Sequence, residues 1–153
     1  MEANYNTTFD EFYAWASVRE TFKPVYIPNV STSPFWAWQD SYDKALTMLQ
    51  GIQMYFQPLV YKQLVYNLAL HYCITNEFLL DDGTVNPLYT KYEIEKKGQG
   101  IIAHASDVSS AVTRVISDAM QKLDFIGMDL IATPYGKYVY SLLISVNITP
   151  VLL

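Results

Sequence analysis

The sequence predicts a mainly α-helical protein, a small bundle of about four to five helices, and three observations support this. Apolar residues recur every third or fourth position along several long stretches. Helix-start signals such as Ser33-Pro34 stand in front of those stretches. The 153 residues are 51% hydrophobic, which is typical of a folded chain with a sizeable core. We also expect a short β or extended excursion around residues 98–117 and an extended C-terminal arm.

Two helices are predicted in the first third of the chain. Thr8 and Glu11 match a capping box, and the helix that follows should end near Glu20. Ser33 as N-cap and Pro34 at the first position then predict a second helix. Its apolar stripe continues to residue 52, with Gly51 as a possible break. A proline-rich connector separates the two helices.

A third helix is predicted from Pro58 to Thr75. Between Ala45 and Asn76 the only formal charge is Lys62. A helix this poor in charge is expected to be covered on most sides, by its own fold or by neighbouring subunits.

Residues 77–117 are predicted to form an inserted loop or extended region within a single domain that spans residues 1–153. Asp81-Asp82-Gly83 and Asn86-Pro87 are typical turn sequences, and residues 89–98 carry mixed charge typical of an exposed segment. Side chains within residues 98–117 alternate in character at every second position, which suits a strand. The spacing of the valines in this segment also suits a helix. Residues 118–131 have a helical composition.

Thr133 and Pro134 are predicted to start a last helix, with a proline-containing turn as the alternative. One face of that helix would carry Tyr135, Tyr138, Val139 and Leu142. Gly136 in its first turn costs about 1 kcal/mol relative to Ala, which suggests that another backbone packs closely there. The uncharged segment from residue 146 to residue 153 is predicted to be an arm that contacts a partner.

Charge and composition argue against nucleic-acid and membrane partners and favour self-association. Residues 1–82 contain nine acidic and four basic residues, and no basic stripe suits a nucleic-acid face. No apolar run is long enough to span a membrane. Only 16% of residues are charged and 15% are aromatic, which favours an obligate oligomer that hides apolar surface.

No catalytic, metal or cofactor site is predicted. His71, Cys73 and His104 lack zinc-type spacing, and a buried core role is the better interpretation of His71 and Cys73. Asp81-Asp82 suits a turn better than a carboxylate pair, and Gly98-Gln99-Gly100 lacks the context of a phosphate loop. The aromatic residues of the second helix are expected in packing or subunit contacts, with the inter-subunit candidates being Phe35, Trp36 and Trp38.

Three segments together resemble a known family. They are "YKQLVYNLALHYCIT" (61–75), "GQGIIAHASDVSSAV" (98–112) and "LIATPYGKYVYSLL" (130–143), preceded by Phe9, Phe12 and Tyr13 in the first helix. In this order they resemble the head-to-tail connector, or head-completion adaptor, of long-tailed bacteriophages. The shared motif residues are His71, Thr133, Pro134, Tyr135 and Gly136. The proline-rich segment at residues 23–34, which links the first two helices, and the loop at residues 77–97 depart from the family pattern.

The resemblance implies a non-enzymatic virion protein of the phage neck, assembled in the host bacterial cytoplasm. A ring of about twelve copies would join the portal to a downstream neck or tail protein. Genomic DNA would pass through without sequence-specific binding. The arm residues expected to contact the portal or a neighbouring subunit are Val146, Ile148, Pro150, Val151, Leu152 and Leu153.

Two alternatives remain open at this stage. The chain could be another neck or tail component, such as a stopper or tail terminator, which tend to be β-rich. It could also be a small cellular helical protein that binds a ligand through its histidines and tryptophans.

Overall fold

The computed structural model describes residues 4–30, 33–80, 82–94 and 129–146, and these residues form a small helical bundle. The predicted mainly α class is confirmed. The five α-helices of the described ranges are α1 (Phe9–Arg19), α2 (Pro34–Met48), α3 (Pro58–Thr75), α4 (Pro87–Lys91) and α5 (Pro134–Ser145). A single 3-10 turn at Gln53–Tyr55 joins α2 to α3.

Helix α3 is the centre of the bundle. It packs against α1, α2, α4 and α5, and its contacts with α2 and α5 are the most extensive. Eleven of its 18 residues are buried, among them Leu64, Leu68 and His71. This accounts for the near absence of charge noted in the sequence, since a charged side chain inside the bundle would lose its hydration.

The helices start where the local capping signals predict. The side chains of Thr8, Ser33 and Thr133 each accept a hydrogen bond from a backbone N–H in the first turn of α1, α2 and α5. The capping box at Thr8 is only half formed. The carboxylate of Glu11 accepts a hydrogen bond from the Tyr66 hydroxyl at 3.1 Å, so it links α1 to α3.

Two helix boundaries differ from the prediction. Helix α2 ends at Met48 rather than near residue 52, and Gly51 adopts φ +91°, which L side chains rarely tolerate. Asn86-Pro87, predicted as a turn, instead starts α4, because the Asn86 side chain caps the backbone N–H of Leu88. The part of the region 77–117 that is described therefore contains a short helix.

The turn before α4 matches the prediction at Asp82-Gly83. Gly83 has φ +82°, and the carboxylate of Asp82 accepts hydrogen bonds from the backbone and hydroxyl of Thr84. An isolated antiparallel bridge pairs Leu79 with Val85 around this turn. Asp81, the excursion at 98–117, residues 118–128 and residues 147–153 lie outside the described residues.

Aromatic side chains fill the core between α1 and α2. Phe12 stacks on Tyr42 with the ring planes 17° apart, and Trp38 packs against Phe12 and Tyr13. Such pairs add stability beyond the buried area alone, about 0.5–1.5 kcal/mol each. The buried apolar residues of the described ranges form one cluster.

Candidate functional site

The motif residues of the third and last helices meet in space. His71, in α3, has no exposed surface and points at the start of α5. Its Nδ1 lies 2.8 Å from the Thr133 hydroxyl, and its Nε2 lies 3.3 Å from a carboxylate oxygen of Asp129. The prediction that His71 is a core histidine with satisfied hydrogen bonds is therefore confirmed. Asp129 was not predicted as its partner.

One hydrogen-bonded cluster links the start of α5 to α3. Thr133 Oγ1 accepts the Gly136 N–H and also lies within hydrogen-bond distance of His71 Nδ1. The other ring nitrogen of His71, Nε2, lies within hydrogen-bond distance of the Asp129 carboxylate. The hydrogen bond from His71 holds the pKa of Asp129 below its ordinary value.

Gly136 is required by the close approach of α5 to this cluster. A Cβ atom at this position would lie 1.9 Å from the backbone oxygen of Leu130 and 2.7 Å from His71 Nδ1. The predicted close approach of another backbone is confirmed, and the backbone belongs to the residues just before α5. Pro134 and Tyr135 occupy the first two positions of α5 beside the cluster.

The order carboxylate, imidazole, hydroxyl is also that of a hydrolase triad. Here the hydroxyl is not available to a substrate, because Thr133 and His71 have no exposed surface and Thr133 is engaged as the N-cap of α5. Only Asp129 reaches the surface, with its side chain 58% exposed. The arrangement fixes the start of α5 against α3.

A second buried polar cluster forms around Glu20, which the sequence predicts only as the end of the first helix. Its buried carboxylate accepts hydrogen bonds from Lys91 Nζ at 2.8 Å, from Tyr92 at 2.5 Å and from Tyr135 at 2.7 Å. Burial alone would raise the pKa of Glu20, but these three donors outweigh it and leave the pKa below its ordinary value. The cluster joins α1, α4 and α5.

The position of Glu20 in the sequence was the one signal that could have indicated its buried partners. An acidic residue at the C-terminal end of a helix meets the negative end of the helix dipole, so a compensating partner is expected there. Asn86 was likewise missed: its side-chain amide donates to the backbone oxygens of Cys73 and Asn76, at 2.7 and 2.9 Å, and so ties α4 to the end of α3.

The predicted inter-subunit aromatics separate into two groups. Trp38 has no exposed surface and packs against Phe12 and Phe22, so it is a core residue and its assignment to a subunit contact is corrected. Phe35 and Trp36 are half-buried beside the exposed Tyr26 ring. The Phe35 and Tyr26 rings meet edge to face, with their centroids 4.9 Å apart. Their place in a subunit contact stays a prediction.

The C-terminal arm is described only at its first residue. Val146 is half-buried and forms the C-cap of α5. Ile148, Pro150, Val151, Leu152 and Leu153 lie outside the described residues, as does His104. Cys73 is buried in α3, as predicted, and burial raises the pKa of its thiol.

The structure shows which residues of α5 are buried. They are Gly136, Val139 and Leu143, while Tyr138, on the predicted face with Tyr135, Val139 and Leu142, is 39% exposed. Gly136 faces Leu130 and His71, where a side chain would not fit.

An open groove of about 490 Å³ runs between α2 and the C-terminal half of α3. Residues that line it include Asp40, Asp43, Lys44, Thr47, Tyr72 and Thr75. Lys44 Nζ lies 4.3 Å from the centre of the Tyr72 ring. Burial and the nearby Asp129 raise the pKa of Tyr72 to about 12. We call this feature the acidic groove, since it has two carboxylates and one ammonium group.

Large apolar side chains remain exposed elsewhere on the bundle. Val18 is 85% exposed in α1, and Val25 is 74% exposed in the connector after it. Met54 and Tyr55 of the 3-10 turn and Leu59 of the first turn of α3 are exposed by 74%, 57% and 76%.

None of the described helices is both long and apolar enough to cross a membrane. Within the described ranges, no group of three or more His, Cys, Asp or Glu side chains is placed to hold a metal ion. No protein-family model, curated protein or solved structure matches the chain.

Proposed function

We propose that the protein is a non-enzymatic structural adaptor of a phage neck, a helical subunit that assembles into a ring and joins the portal to the tail. The observation that carries the proposal is the exposure of large apolar side chains such as Val18, Met54 and Leu59 on the described part of the bundle, whose buried apolar residues form one core cluster. Monomeric proteins rarely expose apolar side chains in contiguous groups, and such groups mark contacts with other proteins.

The polar residues that would otherwise suggest chemistry support the same proposal. His71, Thr133 and Glu20 are buried and engaged with partners from other helices. Their hydrogen bonds position helices, and substrates have no path to the Thr133 hydroxyl. Rigid placement of helices is what a subunit needs if it is to repeat one contact around a ring.

The helical content of the described residues supports the adaptor among the neck components considered. Apart from the isolated bridge between Leu79 and Val85, the described residues contain no strand pairing. This favours a helical adaptor over the β-rich stopper and tail-terminator alternatives. The resemblance in residues 61–75 and 130–143 supports the adaptor as well, since those segments build the cluster around His71.

The experiment that tests the role is co-purification with the portal protein encoded in the same genome. The full chain and the portal are co-expressed, and the copies of each in the complex are counted by native mass spectrometry. We expect a stable complex with about twelve copies of the chain. A chain that elutes separately from the portal at micromolar concentration contradicts the role.

A further inference from the structure

We propose that the Glu20 cluster is an acid-sensitive latch. It holds the C-terminal end of α4 on the bundle while Glu20 is ionised, and it releases that end when Glu20 takes up a proton. The cluster consists of the buried Glu20 carboxylate and its three donors, Lys91, Tyr92 and Tyr135. The latch does not depend on the proposed role in a phage neck, because all four residues belong to one chain.

The two ends of α4 are held by different kinds of group. At the start, the Asn86 side-chain amide donates to two backbone oxygens at the end of α3, at 2.7 and 2.9 Å. These groups are neutral and do not titrate. At the other end, Lys91 Nζ and the Tyr92 hydroxyl donate to Glu20 at 2.8 and 2.5 Å. A change in the charge of Glu20 therefore acts on the C-terminal end of α4 and leaves Asn86 in place as a hinge.

Helix α4 is too short to persist once it leaves the bundle. It has five residues, Pro87–Lys91, and isolated helices shorter than about 12–15 residues are marginal in water. The backbone N–H groups of Thr90 and Tyr92 bond to oxygens of Asn86 and Leu88, at 3.3 and 3.0 Å. Release of the C-terminal end would break these two bonds and expose their amides to exchange with solvent.

Both oxygens of Glu20 already face donors, so a proton has no neutral place to go. Oε2 accepts from Lys91, and Oε1 accepts from Tyr92 and Tyr135. An ammonium group has no acceptor, so a proton on Oε2 would meet the N–H bonds of Lys91. A proton on Oε1 would leave Lys91 with an uncharged carbonyl oxygen, which is a weaker acceptor than a carboxylate. The Lys91 side chain is 49% exposed, so its ammonium group can return to water directly.

The three donors and the neighbouring cation keep their protons in acid. Burial and the nearby Glu20 raise the pKa of both Tyr92 and Tyr135 above the ordinary value of 10.0. The hydrogen bond to Glu20 raises the pKa of Lys91 above 10.5. Arg19, the preceding residue, keeps its charge as well, and its guanidinium lies 3.9 Å from the centre of a tryptophan ring of α1. Within this cluster, Glu20 is therefore the group whose charge changes below neutral pH.

The direction of the pH response follows from the partners of Glu20. Burial favours the uncharged form, but the hydrogen bonds from Lys91, Tyr92 and Tyr135 outweigh it and hold the pKa of Glu20 below its ordinary value of 4.5. The latch is therefore closed above about pH 4.5, and it opens as the pH falls through the native pKa of Glu20.

Hydrogen exchange measured by mass spectrometry on the full chain tests the latch. The protection of the amides of α4 is compared with that of residues 64–74 in α3, at pH 7 and at about pH 3.5, after correction for intrinsic exchange rates. We expect the protection of α4 to fall about tenfold or more in acid while α3 stays protected. Return to pH 7 should restore the protection of α4.

Two variants assign the response to Glu20. In Glu20→Gln, we expect α4 at pH 7 to exchange as it does in the acidified wild type, with no further change in acid. Asp82→Asn is the matched control, because Asp82 lies in the turn before α4 and hydrogen bonds from Thr84 also hold its pKa below the ordinary value. This control should respond to pH as the wild type does.

Three outcomes would overturn the latch. They are an α4 that stays protected at about pH 3.5, an α3 that loses protection together with α4, and an Asp82→Asn variant that no longer responds to pH. If Glu20→Gln does not fold, the comparison of α4 with α3 in the wild type still decides. Failure of the latch leaves the proposed function untouched, since that role is tested by co-purification with the portal.

Discussion

At the scale of single residues, the buried polar side chains are the most informative part of the molecule. His71 was predicted as a core histidine, because a lone histidine inside an apolar helix is better explained by packing than by metal binding. Its partners were not predictable, since Asp129 and Thr133 are 58 and 62 residues away along the chain. Sequence periodicity carries no information about which distant polar groups will meet.

Gly136→Ala tests the close approach at the start of α5. Helix propensity alone favours alanine by about 1 kcal/mol. The added Cβ would, however, lie 1.9 Å from the Leu130 oxygen and 2.7 Å from His71 Nδ1. Because backbone and a buried ring cannot both move away cheaply, we expect a net loss of about 1–3 kcal/mol in the free energy of unfolding.

The measurement for Gly136→Ala is urea denaturation followed by circular dichroism. Lys137→Ala is the control, since Lys137 is the next residue of α5 and is exposed. It should change the stability by less than about 0.5 kcal/mol. If Gly136→Ala is as stable as the wild type or more stable, the packing described around His71 is incorrect.

At the scale of helices, the starts were predictable and the contacts between elements were not. The signals at Thr8, Ser33 and Thr133 are local, because an N-cap bonds only to the turn that follows it. Helix α4 was missed because Asn-Pro also begins turns, and because five residues are too few to show a helical period. Glu20 was missed because its three donors come from α4 and α5.

The Glu20 cluster predicts a pH dependence of stability. The native pKa of Glu20 lies below its ordinary value of 4.5. Its contribution is therefore fully present above about pH 4.5 and is lost as the pH falls through the native pKa. Glu20→Gln should be about 1–3 kcal/mol less stable at pH 7, because the neutral amide is a weaker partner for Lys91 and the two tyrosines.

The check for Glu20 is the difference between wild-type and Glu20→Gln unfolding free energies from pH 7 to pH 3. We expect this difference to shrink as the pH falls below about 4.5, with Glu77→Gln, at an exposed position, as the control. A difference that stays constant over the range would show that the charge of Glu20 does not stabilise the junction of α1, α4 and α5.

At the scale of the whole molecule, apolar periodicity and helix-start signals predicted the mainly α class, which is confirmed, whereas the obligate oligomer predicted from composition stays a prediction. The low charged fraction of 16% is consistent with the burial of eleven of the 18 residues of α3 and with exposed apolar residues such as Val18 and Leu59. Composition could not predict which apolar residues stay exposed, because that depends on how the helices pack. The exposed apolar residues and the acidic groove are therefore findings of the structure.

The most direct test of the account is the mass of the full-length chain in solution. Sedimentation equilibrium from about 1 to 100 μM, with and without the portal protein, gives that mass relative to the 17.5 kDa subunit. We expect a closed assembly of many copies, alone or on the portal, with no stable dimer as the end point. A single 17.5 kDa species at every concentration, unchanged by the portal, would contradict it.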